Sequence, residues 1–147
     1  MKEVLKIIPV VLYFIVGIIS LMMSLKSLFS KKYLSFHEQA AGKPWSEIDD
    51  KLQPVFLSIM RVSGLGFLTL FFLLTAFPIA NLFIQNTFIN YSIPLIALVF
   101  CIGLFIVNYI LYKKTKAETP WKGSIYAIIV IIIAIIISIC NDLNPGL

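Results

Sequence analysis

Four long apolar runs decide what this chain can fold into. They cover residues 7–29, 55–80, 93–112 and 121–140, and each is about 20 residues or more, enough for a helix to cross a hydrocarbon core of about 30 Å. Helices are required there because lipid offers no water to satisfy backbone N–H and C=O groups. A soluble fold is a poor alternative. The chain has 147 residues, of which 60% are hydrophobic and 13% charged, whereas soluble domains carry about 25% charged residues. So small a domain has too little interior to hide so much apolar surface. The expectation is an all-α fold, a transmembrane four-helix bundle forming one domain over residues 1–147.

The first run follows Lys2 and Lys6, as a signal peptide would, but it is longer than a signal core and no small-residue cleavage site follows it. It is therefore expected to remain as a span. Lys26, Lys31, Lys32, Lys43, Lys51 and Arg61 lie in or beside the loop 30–54, and Lys113, Lys114, Lys116 and Lys122 in or beside the loop 113–120. The other side has only Lys2 and Lys6, and the segment 77–92 is uncharged. This bias puts both basic loops in the cytoplasm and both termini outside. It also accounts for the net charge of +5 without nucleic acid, since no basic stripe tracks along one face.

Local signals refine the outline. Pro9 and Pro94 fall near the outer helix ends, where a first-turn proline costs little. Ser46 with Asp49 three residues on suggests an N-cap, hence a short amphipathic section over 46–53 and a bend at Pro54. The outer segment 77–92, rich in aromatics and asparagine, is expected to lie along the interface. Gly17, Ser20, Ser24 and Ser27 form a small-residue stripe that lets a second helix approach closely. Cys101 and Cys140 differ in expected depth by about 9 Å, too far for a bridge.

Lys43-Pro44-Trp45 and Thr119-Pro120-Trp121 close the two basic loops, and each loop opens on a lysine pair, Lys31-Lys32 and Lys113-Lys114. This pattern fits two helical hairpins related by an axis along the membrane normal. It equally fits the separate preferences of proline for helix starts and tryptophan for interfaces. Both readings stand at this level.

Arg61 is the one charged residue expected well inside a span, where burial costs about 2.5 kcal/mol or more. It must either face the bundle or snorkel to the surface. Ser24, Asn108 and Tyr126 fall at a similar depth, with Ser58 and Gly64 flanking Arg61 at helical spacing. If these faces converge, they form a polar layer near the cytoplasmic surface, closed from below by the first loop with His37, Glu38 and Gln39, with Glu38 as the carboxylate partner of Arg61 and Trp45 among the pocket residues. The expected ligand is a lipid headgroup, an anion or a partner's helix. A membrane enzyme or redox accessory protein using His37 and Glu38 for proton transfer is the alternative, and a small transporter acting as a dimer the third. One histidine without nearby cysteines makes no zinc set, and no cofactor is expected. Disulfide-exchange enzymes need Cys-x-x-Cys, proton-coupled multidrug exporters need an intramembrane carboxylate, and neither feature is present. The arginine and glutamate pattern of membrane glutathione transferases has no match around Arg61.

The run Phe36-His37-Glu38-Gln39-Ala40-Ala41-Gly42-Lys43-Pro44-Trp45, followed by Ile48, Gln53, Met60-Arg61-Val62-Ser63-Gly64 and Thr119-Pro120-Trp121, resembles an uncharacterised family of small bacterial four-span membrane proteins. In layout it is also broadly similar to DoxX-like proteins. The resemblance implies a four-helix bundle in a bacterial inner membrane, with membrane lipid and a partner membrane protein or second copy as candidate partners. It implies no activity, and so assigns no residue a role.

Overall fold

A computed structural model describes the backbone of residues 2–143 and the side chains of residues 6–143. The chain ends at 1 and 144–147, which the charge bias sends outside, lie beyond the described residues. The order is α1 (Lys2–Phe29), α2 (Ser35–Ala41), a 3-10 turn at Trp45–Glu47, α3 (Gln53–Ile84), α4 (Thr87–Thr115) and α5 (Trp121–Leu143). Among the described residues there is no strand, and α1, α3, α4 and α5 are long and apolar enough to cross a membrane. α1 packs on α3 and α5, and α4 packs on α5 and α3, so the four close a ring of neighbours. α2 rests on α4.

Each long helix supplies the core. Tyr13 and Val16 of α1, Leu70 and Leu74 of α3, Ala97 and Cys101 of α4, and Ile131 and Ala134 of α5 are buried together. Outside this core the bundle exposes apolar side chains such as Ile19, Ile59, Val99, Val107 and Ile136, the surface a lipid-facing bundle presents.

The small-residue stripe does what its spacing predicts. Ser20, Ser24 and Ser27 are buried, and a Cβ added at Gly17 would lie 2.7 Å from Thr75 Cγ2. At the other end of the same interface, a Cβ at Gly64 would lie 2.8 Å from Leu28 Cγ and 3.1 Å from Ser27 Cβ. α1 and α3 therefore meet backbone against side chain along most of their shared length. Neither Cys101 nor Cys140 is in a disulfide.

Three local expectations are corrected. The segment 77–92 is not an interfacial loop: α3 runs on to Ile84 and α4 starts at Thr87. Gln85, left-handed at φ 53°, ends α3, and the Asn86 side chain caps α4. Two of the asparagines that suggested a loop, Asn81 and Asn86, bond backbone N–H groups at the turn, and the chain reverses in two residues. Pro9 and Pro94 accordingly lie inside helices and not in their first turns, as does Pro78. Each leaves the carbonyl four residues earlier without its helical donor. Finally, residues 46–53 form no amphipathic helix. Pro44 precedes a single 3-10 turn, Ile48 is extended, and Asp49 accepts from Lys51 N–H at 2.8 Å. Pro54 occupies the first turn of α3, where it starts the helix instead of bending it.

A polar cavity at the terminal end of the bundle

The residues expected to build a site near the basic loops do not converge. Arg61 is exposed, as are Ser58 and Tyr126, and among the described residues Arg61 has no ion pair or hydrogen bond, with Glu38 or otherwise. Gly64 sits against Ser27 and Leu28, so Arg61, about 4.5 Å closer to the loops, is level with the end of α1 and the Lys31-Lys32 pair. The lower two turns of α3 extend past α1. Asn108 is half-buried and spends its amide on its own helix, donating from Nδ2 to Leu104 O at 2.9 Å. Its carbonyl accepts from Thr119 Oγ1 at 2.8 Å, pinning the second loop. Ser24 Oγ is buried with no hydrogen-bond partner.

Trp45 is also a pin. Its ring meets Tyr33 edge-on at 4.9 Å, Tyr33 meets Phe56 of α3 at 6.5 Å, and the Tyr33 hydroxyl donates to Lys43 O. The second Pro-Trp behaves alike: Trp121 lies 5.7 Å from both Tyr109 and Tyr112. In each hairpin a tryptophan thus locks a loop against tyrosine, although Trp45 stands eight residues before its helix and Trp121 begins its own. His37 stacks on Phe36 at 4.0 Å, and its Nδ1 is buried without a hydrogen-bond partner. Burial holds the imidazole below its usual pKa. Nearby, Glu118 N–H donates to Gln39 Oε1 at 3.1 Å, tying α2 to the second loop. Among the described residues no three His, Cys, Asp or Glu side chains converge to hold a metal.

The polar site lies at the opposite end, where α1 begins, α3 turns into α4, and α5 finishes. A cavity of about 240 Å³ opens there, with walls from all four long helices. That is room for roughly eight waters. Lys6, Pro9 and Tyr13 come from α1; Pro78, Asn81 and Gln85 from the end of α3 and its cap; Asn86, Thr87 and Asn90 from the α4 start; and Ser138, Asn141 and Asp142 from α5. Its floor is two hydroxyls. Tyr13 is 2% exposed and its Oη has no hydrogen-bond partner, with buried Ser138 beside it. An orphaned hydroxyl in a core costs about 1–3 kcal/mol.

The capping role of the turn sets the chemistry of the walls. Asn86 Oδ1 accepts from Phe88 N–H at 2.9 Å and Ile89 N–H at 3.2 Å, and Asn81 Oδ1 accepts from Asn86 N–H at 2.8 Å. The Asn86 oxygen is thereby spent on backbone and that of Asn81 half spent, and each side chain retains its NH₂ donor pair. Across the mouth the Tyr91 hydroxyl donates to Asp142 Oδ2, joining α4 to α5. Pro94 leaves the carbonyl of Asn90, a cavity residue, without its helical donor.

Sequence reasoning missed this cavity. Its signal was present in the amides at 81 and 85 and again at 86 and 90, each pair four residues apart and so on one helix face. Taken as a loop, the segment had no faces to compare.

Fold and cavity together define a four-span α-helical membrane protein with a polar chamber at one end of its bundle. No protein-family model, curated protein or solved structure matches the chain.

Proposed function

We propose that this chain is a non-enzymatic binding protein of a bacterial inner membrane, holding a small polar ligand in the chamber at its terminal end. The charge bias supports cytoplasmic loops, which would open the chamber to the outer surface. The observation that carries the reading is Tyr13. Its side chain is buried at the floor of a cavity walled by four helices, and among the described residues its hydroxyl has only Ser138 beside it.

The test is thermal stability of the purified chain in detergent, with phosphatidylethanolamine, phosphatidylglycerol, cardiolipin or free amino acids added in turn. A ligand that binds only the folded state at about 100 times its Kd stabilises by about 2.7 kcal/mol. At least one of these should raise the melting temperature of the wild type. Tyr13→Phe should remove that rise without lowering the unliganded melting temperature, because it deletes an unpaired hydroxyl. A rise that survives both Tyr13→Phe and Ser138→Ala, or no rise at all, overturns the reading.

A second reading retains the basic end. Arg61 is exposed beside the level of Lys31 and Lys32, which favours contact with anionic headgroups at the bundle surface. Arg61→Ala should then reduce co-purifying anionic lipid, seen by native mass spectrometry, while the melting temperature stays put.

A further inference from the structure

Among the described residues the chamber is lined by one cation and one anion that do not pair with each other. Lys6 on α1 and Asp142 on α5 both line it, yet among the described residues they form no ion pair. Their helices are neighbours, so the two charges stand on adjoining walls. Each keeps capacity to spare. Asp142 gives Oδ2 to the Tyr91 hydroxyl and retains Oδ1, and among the described residues the Lys6 ammonium, with three donors, has no partner. On the far wall, Asn86 presents donors only, its oxygen being committed to two backbone N–H groups, and Asn81 adds a further NH₂ pair.

From these placements we infer that the ligand is a small zwitterion: a phosphate or carboxylate joined by a short chain to a primary ammonium. This rests on the binding reading above and names its ligand class. An anion alone would meet Lys6, the amide donors and the Tyr13 hydroxyl favourably, but Asp142 would repel it. A cation alone meets the reverse. Only a ligand bearing both signs satisfies both side chains, and it enters a chamber whose two formal charges cancel. The ammonium must carry N–H groups to donate to the remaining Asp142 carboxylate oxygen. A quaternary ammonium is recognised instead by a cage of aromatic faces, and Tyr13 is the one aromatic ring on these walls.

Two sources supply this chemistry, the phosphoethanolamine headgroup of a membrane lipid and a free amino acid or amino phosphate. Isothermal titration of the full chain in detergent separates them. The probes are dihexanoyl phosphatidylethanolamine, O-phosphoethanolamine and glycine, against dihexanoyl phosphatidylglycerol, phosphocholine and ethylammonium as controls. At least one primary-ammonium zwitterion should bind ten-fold or more tightly than every control. Binding of the lipid form alone identifies a headgroup site, and comparable binding of the free forms identifies a soluble ligand. Asp142→Asn keeps an acceptor for Tyr91 and should lose at least ten-fold for the zwitterion while leaving phosphatidylglycerol unweakened; Lys6→Met should weaken both. If phosphatidylglycerol binds as tightly as the zwitterions and Asp142→Asn changes nothing, the zwitterion is wrong although the chamber still binds. If no probe binds in a Tyr13-dependent way, the binding reading falls and this inference with it.

Discussion

Gly17 and Gly103 are both helical glycines in a membrane span, yet their surroundings differ sharply. A Cβ at Gly17 would lie 2.7 Å from Thr75 Cγ2, whereas one at Gly103 would meet nothing within 4 Å. Overpacking a tight contact costs about 1–3 kcal/mol, while an open helical glycine gains about 1 kcal/mol on becoming alanine. Gly17→Ala should therefore lower the stability measured by denaturant titration in mixed micelles, and Gly103→Ala should leave it unchanged or raised. Arg61→Ala belongs with the second case. With no partner to lose, it should shift stability by less than about 0.5 kcal/mol. Of these positions the sequence identified Gly17 correctly, since small residues at helical spacing have one physical use in a membrane. It misplaced Arg61 for an equally physical reason. Hydropathy marks where a helix is apolar, but the loop end of α3 is apolar beyond the level where α1 stops, so composition does not show that Arg61 clears its neighbouring helix.

At the scale of elements, the four spans were legible because lipid allows few alternatives for twenty apolar residues. Their rotation was not. A helix that is apolar nearly all round gives no periodic signal of which face turns inward, and the expected polar layer of Ser58, Arg61 and Tyr126 failed on that point. α2 is the element whose docking should depend on pH. Burial favours neutral His37, so the docked state has the lower pKa and the undocked state the ordinary one near 6.5. Above that value both states are neutral and docking is unpenalised. As pH falls below it, the undocked state takes up the proton first and α2 loosens. Hydrogen exchange over Ser35–Ala41, corrected for intrinsic rates, should be faster at pH 5.5 than at pH 7.5, conditions set here by roughly one unit on either side of the ordinary value. His37→Phe should abolish that difference, and equal protection at both pH values in the wild type would refute it.

For the whole molecule, the ring α1–α3–α4–α5 places each helix beside its neighbours in sequence and α1 beside α5. Two hairpins related by a two-fold axis make this pattern, as does any up-and-down bundle. The Pro-Trp pins occur in both hairpins, but only the first loop carries an added helix, α2. Sidedness is testable directly. In intact cells a membrane-impermeant thiol reagent should label Asn86→Cys at the α3–α4 turn and miss Ser46→Cys in the first loop; the reverse would invert the proposed topology.

The two-residue link between α3 and α4 bears on how the protein reaches the membrane at all. α3 and α4 have 32 and 29 residues, and Gln85-Asn86 between them has no charge and little exposed length to solvate. If the basic loops stay in the cytoplasm during synthesis, this tip is the one internal segment that must be translocated. A tip so short and neutral lets both helices enter together as a preformed wedge, with no separate loop to thread across. Paired lysines at Gln85 and Asn86 would make that passage expensive, and the resulting chain should be found degraded or half-inserted instead of merely less stable.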